Sequence, residues 1–542
     1  MKKNKFLSMI LIMVAFFFTS CTKDLNVNPI DPNTQTATNI FKNELAYKEA
    51  LAKVYAGFSL TGQAGSGGGD ADLQGIDEGF SSYIRTYWDV QELSTDEAII
   101  SWNDATIKNF HWQTWAPNDV FLMAIYSRIY FTIALANEFV RQADKAMGSA
   151  TGAFATDLTH YKAEARFIRA LAYWHAIDLF GNVPFITEND MPGAFFPKRI
   201  TRTDLFNYIE SECKAIEPDL VPARQNEYAR ADQGADWFLL AKLYMNAEVY
   251  TGTARYTDAL TYLNKVINAG YTLDPNYAHL FSADNANSPE VVFQVAFNGT
   301  KTQTWGGTTF LVSGSEGSST MPLRGLGSWG GMRTISDFVA KWGITESSFA
   351  SNPQYQGADH RAMFFFDANN GWVWDIATSA DIGTFTDGIG VTKWSNLTAS
   401  GGPAPDANAS FASTNFPMFR LGDAYLMYAE AVLRGGTGGD MATAVGYINA
   451  LRERAYGNTS GDITSSDVTL PFILDERGRE LYWEGHRRTD LIRFGQFTNG
   501  TYVWQWKGNT YLGTQVPAYR DLFPIPSQDV AANPNLIQNP GY

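Results

Sequence analysis

The sequence predicts a mainly α-helical fold, a tetratricopeptide-like scaffold of helix pairs broken by a loop-rich insertion with a few short strands. Three observations predict it. Apolar residues recur at helical spacing through much of the 542-residue chain. Two segments rhyme: ALTYLN, Ala259 to Asn264, matches AVGYIN, Ala444 to Asn449, and each follows a segment rich in Ala, Leu and Tyr. Such helix–turn–helix units resemble tetratricopeptide repeats and must stack to bury their apolar faces. Between about residues 279 and 415 the helical periodicity fades and glycine-rich stretches take over.

The chain begins MKKNK, followed by the apolar run Phe6 to Phe18, the small residues Thr19 and Ser20, and Cys21. A basic start and a short apolar segment make a secretory signal over residues 1–20. A thiol directly behind it suits acylation, and more than one acyl chain is needed for stable anchoring. Cys21 is therefore the expected lipidation site, as in a bacterial lipoprotein box, although Phe18 stands where Leu is usual. Residues 21–42 are polar, carry two prolines, and read as a tether. Residues 43–542 are expected to form the folded domain, with no later segment long and apolar enough to cross a membrane.

Within the domain, YKAEARFIRALAYWHAIDLFG places Ala163, Phe167, Ala170, Leu171, Trp174 and Ile177 on one helical face, with Gly181 at its end. Thr201 and Asp204 have capping-box spacing at the start of the next helix. GADWFLLAKLYMNAEVY pairs with YTDALTYLNKVINAG, and LGDAYLMYAEAVLRGG with DMATAVGYINALRERAYG. EVVFQVAF is the one strand-like run of the insertion. A further Gly-rich loop covers residues 61–75, and loops on a rigid scaffold are where binding residues concentrate.

The formal charge of −15 becomes −18 once residues 1–20, with three lysines and no acid, are removed. That disfavours nucleic acid and acidic polysaccharides and favours a neutral ligand. With Cys21 acylated, Cys213 has no disulfide partner and reads as a small buried residue. GLGSWG, Gly325 to Gly330, fits a dinucleotide fingerprint, but no strand precedes it and no helix opens in it. It reads as a loop displaying Trp329. Six scattered histidines predict no metal site, and no cofactor motif is present. Glu476, Glu480 and Glu484 recur every four residues among Arg477, Arg479, Arg487 and Arg488. Paired carboxylates can mark a glycosidase. Arginine neighbours would hold their pKa values down, which favours an ion-paired helix over a glycosidase pair.

Tryptophans in bare loops carry the remaining signal. Trp88 and Trp102 lie near acids and amides, Trp305 precedes two glycines, and Trp329 stands between glycines. A flat indole matches the C–H face of a pyranose, and partial stacking is worth about 1–3 kcal/mol per ring. On residue type alone the rings could equally plug the scaffold.

RFIRALAYWHAIDLFGNVPF, FRLGDAYLMYAEAVLR, ERGRELYWEGHRRTDLIRFG and the ending LFPIPSQDVAANPNLIQNPGY together resemble the SusD/RagB family, surface glycan-binding lipoproteins of Bacteroidetes. ELSTDEAIISW, KTQTWGGTTFLVSG and FTDGIGVTKW make the chain similar to the starch-binding member. The resemblance implies a cell-surface, outer-membrane lipoprotein held by its lipid anchor only. It implies a SusC-like TonB-dependent transporter as partner, and a starch-like α-glucan or another neutral polysaccharide as ligand. It places the stacking arc on Trp102, Trp305 and Trp329, the guanidinium on Arg85 and a carboxylate on Asp77. An amide of the family's starch site falls on Ala105, so Asn103 or Asp104 would have to serve.

Overall fold

The computed structural model describes residues 40–63, 65–66, 71–190, 193, 195–317 and 320–542. The signal, Cys21 and most of the tether lie outside the described residues, as does part of the Gly-rich loop at 61–75. Contacts divide the chain into residues 1–46 and 47–542. In the first unit Asn43 Oδ1 accepts a hydrogen bond from Ala46 N, 2.9 Å. The second holds the scaffold.

That scaffold is helical. Helix α1 (Tyr83–Trp88) runs into a one-turn π-helix, Asp89–Leu93. Helices α2 (Val120–Met147) and α3 (Gly152–Leu179) follow, 28 residues each. Asp119 caps α2 by accepting from Phe121 N and Leu122 N, which satisfies amides that have no partner inside the helix. The expectation that no segment could span a membrane fails on composition alone. Helix α2 is long and apolar enough, but 61% of its most apolar window is buried inside the structure. It reads as a core helix, because that apolar surface packs on α1 and α3. The six residues predicted to share a face of α3 are all buried, and Gly181 follows with φ 72°.

Helix α4 (Arg202–Ile216) packs on α3, and Thr201 caps it as predicted, accepting from Asp204 N and donating to Asp204 Oδ2 at 2.7 Å. The rhyming segments are α6 (Tyr256–Ile267) and α9 (Met441–Tyr456). Each packs on the helix before it: α6 on α5 (Gln233–Met245), α9 on α8 (Leu421–Leu433). Helices α6 and α8 also pack on each other, so the two pairs stack. Helix α7 (Gly307–Ser315) lies within the insertion and packs on α1. Helices α10 (Leu470–Leu481) and α11 (Arg487–Arg493) complete the labelled set.

Strands among the described residues are short and pair antiparallel: β1 (Ile99–Ile100), β2 (Val183–Pro184), β3 (Arg199–Ile200), β4 (Val291–Val295), β5 (Met332–Arg333), β6 (Phe364–Phe365), β7 (Gly390–Val391) and β8 (Phe416–Arg420). The pairs are β1 with β5, β2 with β3, β4 with β8 and β6 with β7. The predicted EVVFQVAF strand is β4, and two register shifts bend its pairing with β8.

The charged segment is buried rather than solvated. Glu476, Glu480 and Glu484 are each at most 1% exposed. Their partners come mostly from distant sequence. Arg361 Nη1 reaches Glu476 Oε1 at 2.8 Å and Glu480 Oε2 at 3.1 Å. Arg420 contacts Glu290, Glu480 and Glu484, Lys393 contacts Glu484, and Arg452 contacts Glu476. Of the neighbouring arginines only Arg479 serves this row. Arg477 turns to Asp423 and Asp490, and Arg487 to Asp96. Burial would raise the carboxyl pKa values, but the cations outweigh it: Glu476 is held down at about 2, and Glu480 and Glu484 are also lowered. Such groups cannot act as general acids near neutral pH.

Candidate functional site

Three of the predicted tryptophans come together. The centroids of Trp102 and Trp329 lie 6.2 Å apart, those of Trp329 and Trp305 6.0 Å apart. The rings are tilted by 51° and 55° in turn, so no two neighbours present the same plane. Trp329 is its centre. Phe411 extends it beyond Trp305, 4.7 Å away. Trp305 is 38% exposed, and Trp102 and Trp329 are half-buried. Trp88 does not join them. Helix α1 carries it into the core, where it packs edge-on against Trp483 and Phe310 and donates to Trp483 O at 3.2 Å.

Local sequence holds each ring in place. Trp305 sits just before α7, and the glycines behind it are required by space. A Cβ on Gly306 would overlap Ser82 Oγ at the start of α1, and one on Gly307, at φ 56°, would enter the Phe297 ring. Trp329 N donates to Ser313 O of α7 at 2.8 Å. Trp102 follows β1, and its indole Nε1 donates to Gly330 O at 2.9 Å. The β1–β5 pairing, Ile100 opposite Met332, thus brings the Trp102 loop beside the Trp329 loop.

The predicted polar groups surround the Trp102 end. Arg85 lies beneath the row, 6% exposed, its guanidinium carbon 5.4 Å from the Trp102 centroid and 4.5 Å from that of Phe310. Arg85 Nη1 donates to Gly79 O at 2.8 Å, while its Nε is buried without a partner. Burial lowers its pKa, and Asp89, Asp104 and Asp77 act against that. Asp77 is exposed, and its Oδ1 accepts from Gly79 N at 2.7 Å, fixing the loop that Arg85 grips. Asn103, Asp104 and Ala105 are all exposed, and Ala105 has φ 29°. Asn103 Oδ1 accepts from Lys108 Nζ at 2.7 Å, and its amide NH2 has no partner among the described residues.

Two residues were missed by sequence reasoning. Phe385 is 41% exposed and lies against the Gly330–Gly331 turn at the Trp102 end of the row. Its loop is stitched down: Ser101 Oγ donates to Thr384 O at 3.0 Å, and Arg333 Nη1 to Phe385 O at 3.0 Å. A lone Phe in a Thr/Asp/Gly loop gives no periodic signal. Asp89 is buried below Arg85 with both carboxylate oxygens unpartnered, and burial pushes its pKa up to about 7. Its i, i+4 spacing from Arg85 was legible; its burial was not. No cluster of three or more metal-ligating side chains occurs among the described residues. His111 and His486 are buried, as expected of structural histidines, and burial lowers both. Cys213 is buried too.

A partly exposed row of tilted indoles, with amide and carboxylate groups at one end, can stack on sugar rings and bond their hydroxyls. Comparison with known proteins points the same way. A family model described as the SusD family matches residues 289–542, and one described as "Starch-binding associating with outer membrane" matches residues 77–245. Over 582 aligned residues the chain is 35% identical to the starch-binding protein SusD of Bacteroides thetaiotaomicron, covering 100% of this chain and 99% of that one. It is 26% identical over 471 residues to a SusD-like protein of Bacteroides ovatus, covering 77% and 81%. Among solved structures, a SusD homolog from Bacteroides thetaiotaomicron shares the fold with a TM-score of 0.70 at 21% identity, covering 94% and 99%. A laminarin-binding SusD-like protein does so at 0.67 and 21%, covering 92% and 100%.

Proposed function

This chain belongs to the SusD family, and on that premise we propose that it is a non-catalytic cell-surface lipoprotein that captures starch-like α-glucans on its tryptophan row. The observation that carries the reading is the row itself: three indoles, 6.0 and 6.2 Å apart between neighbours, successively tilted and partly exposed. Platforms set in different planes suit a coiled α-glucan better than a flat chain. The 35% identity to a protein named for starch binding supports the α-linkage. Asp77, Asn103, Asp104 and Arg85 are assigned to hydroxyl recognition or to holding the loops that do it. Three platforms at about 1–3 kcal/mol each support binding in roughly the mM to μM range. Acylation at Cys21 would hold the protein on the outer membrane. There it would pass oligosaccharides to a SusC-like TonB-dependent transporter, and two-point attachment would raise the effective concentration of glycan.

Affinity electrophoresis in amylopectin tests this, with laminarin gels as the β-linked comparison. Wild type should be retarded in amylopectin more than in laminarin, and Trp102→Ala and Trp329→Ala should both migrate faster. Equal retardation of all three proteins would refute the site. Steady release of reducing ends from maltooligosaccharides by repurified protein would refute the non-catalytic assignment.

A further inference from the structure

We propose that the protein carries a second carbohydrate site, lined by none of the residues of the tryptophan row, in the cleft around Trp374. The cleft measures about 810 Å³, within the roughly 300–1,000 Å³ of small-molecule sites. Trp374 is half-buried in its wall and braced by two buried rings, Phe366 at 5.2 Å and 86° and Phe349 at 5.9 Å and 53°. A partly exposed indole steadied by neighbouring aromatic rings is also the element of the main row.

The rim supplies the polar half. Glu346, Ser351 and Asn369 line the cleft, are exposed, and make no side-chain hydrogen bond or ion pair among the described residues. Short turns fix the backbone that carries them. Thr345 and Ser348 form a capping box around the turn Glu346–Phe349. Asn370 Nδ2 donates to the buried Asp367 at 2.6 Å beside Asn369. A hydroxyl, an amide and a carboxylate around an aromatic face match a sugar, and the carboxylate together with the formal charge of −15 disfavours an acidic one. The class, a neutral sugar, is taken from the function proposed above. Backbone bonds couple the two sites: Val373 N donates to Thr386 O at 3.0 Å, and Gly388 N to Val373 O at 2.8 Å. The Trp374 segment is thereby tied to the loop that presents Phe385.

The test is affinity electrophoresis in amylopectin and in laminarin gels, using Trp102→Ala/Trp329→Ala as a background without the main row. In at least one gel this double variant should retain part of the wild-type retardation, and adding Trp374→Ala should abolish it. A Ser351→Ala/Asn369→Ala change in the same background, at exposed positions that leave the ring packing intact, should weaken it while the melting temperature stays unchanged. Identical mobility of the double and triple variants in both gels would overturn the second site. Identical mobility of wild type and the double variant would instead overturn the main row, so the two failures are distinguishable.

Discussion

Replacing Trp305 by alanine should weaken α-glucan binding by roughly 10- to 50-fold while leaving the fold intact. The residue is 38% exposed. A tryptophan side chain buries about 150–250 Å² when fully covered, so a stacked sugar can cover on the order of 60–95 Å² of this one. At about 25 cal/mol per Å² that is roughly 1.5–2.4 kcal/mol, or one to two powers of ten in Kd. The ring makes contacts with Trp329 and Phe411 but donates no hydrogen bond that its loss would orphan. Stability should therefore change little. Retardation measured at graded amylopectin concentrations yields Kd for each variant, and thermal melts report the fold. Removing both Trp305 and Trp329 should cost less than the sum of the two single losses, because Trp329 supports its neighbours' rings. A change below about twofold with an unaltered melt would show that sugars do not stack on this ring, and the area argument would fail.

Two further outcomes concern the frame behind the site. Arg420→Leu removes the cation shared by the buried Glu290, Glu480 and Glu484 and should cost about 3–5 kcal/mol, read as a lower urea midpoint. Stability should also depend on pH from both sides. Glu476 and Asp490, held at about 2 against ordinary values of 4.5 and 3.8, contribute stability that is present above those values and lost as pH falls toward 2. Asp89, raised to about 7 from 3.8, favours folding below its ordinary value, and that contribution is lost as pH rises through 7. Asp89→Asn should accordingly raise the melting temperature at pH 8 and leave it nearly unchanged at pH 3.5, and an equal effect at both would refute the assignment.

Helix pairs were legible because apolar spacing is a local property. Thr201 and Asp204 were legible as a cap for the same reason, and the rhyme between residues 259–264 and 444–449 announced the stacked pairs α5–α6 and α8–α9. The tryptophan row was half legible. Glycines beside Trp305 and Trp329 signalled exposed rings, but nothing local separates Trp102 from Trp88. The difference lies in where α1 and β1 point them. Partners of the glutamate row were illegible for a related reason: Arg361 is 115 and 119 residues from the groups it neutralises. Helix α2 was passed over although its composition would allow a span, and composition does not tell a membrane span from a helix with neighbours on several sides. Phe385 and Trp374 stand in irregular segments where neither period 2 nor period 3.6 operates.

Arg361 and Lys393 belong to the loop-rich insertion, and although Asp359 of that insertion also pairs with Arg361, the two cations reach across to Glu476, Glu480 and Glu484 from helix α10 and the residues after it. A protein engineer wishing to transplant a new ligand preference therefore cannot exchange that region as a cassette unless the donor brings cations to the same interior sockets. Exchanging only the tips that carry Trp305, Trp329 and Phe385 leaves those rivets in place, and natural diversification of appetite among relatives faces the same mechanical rule.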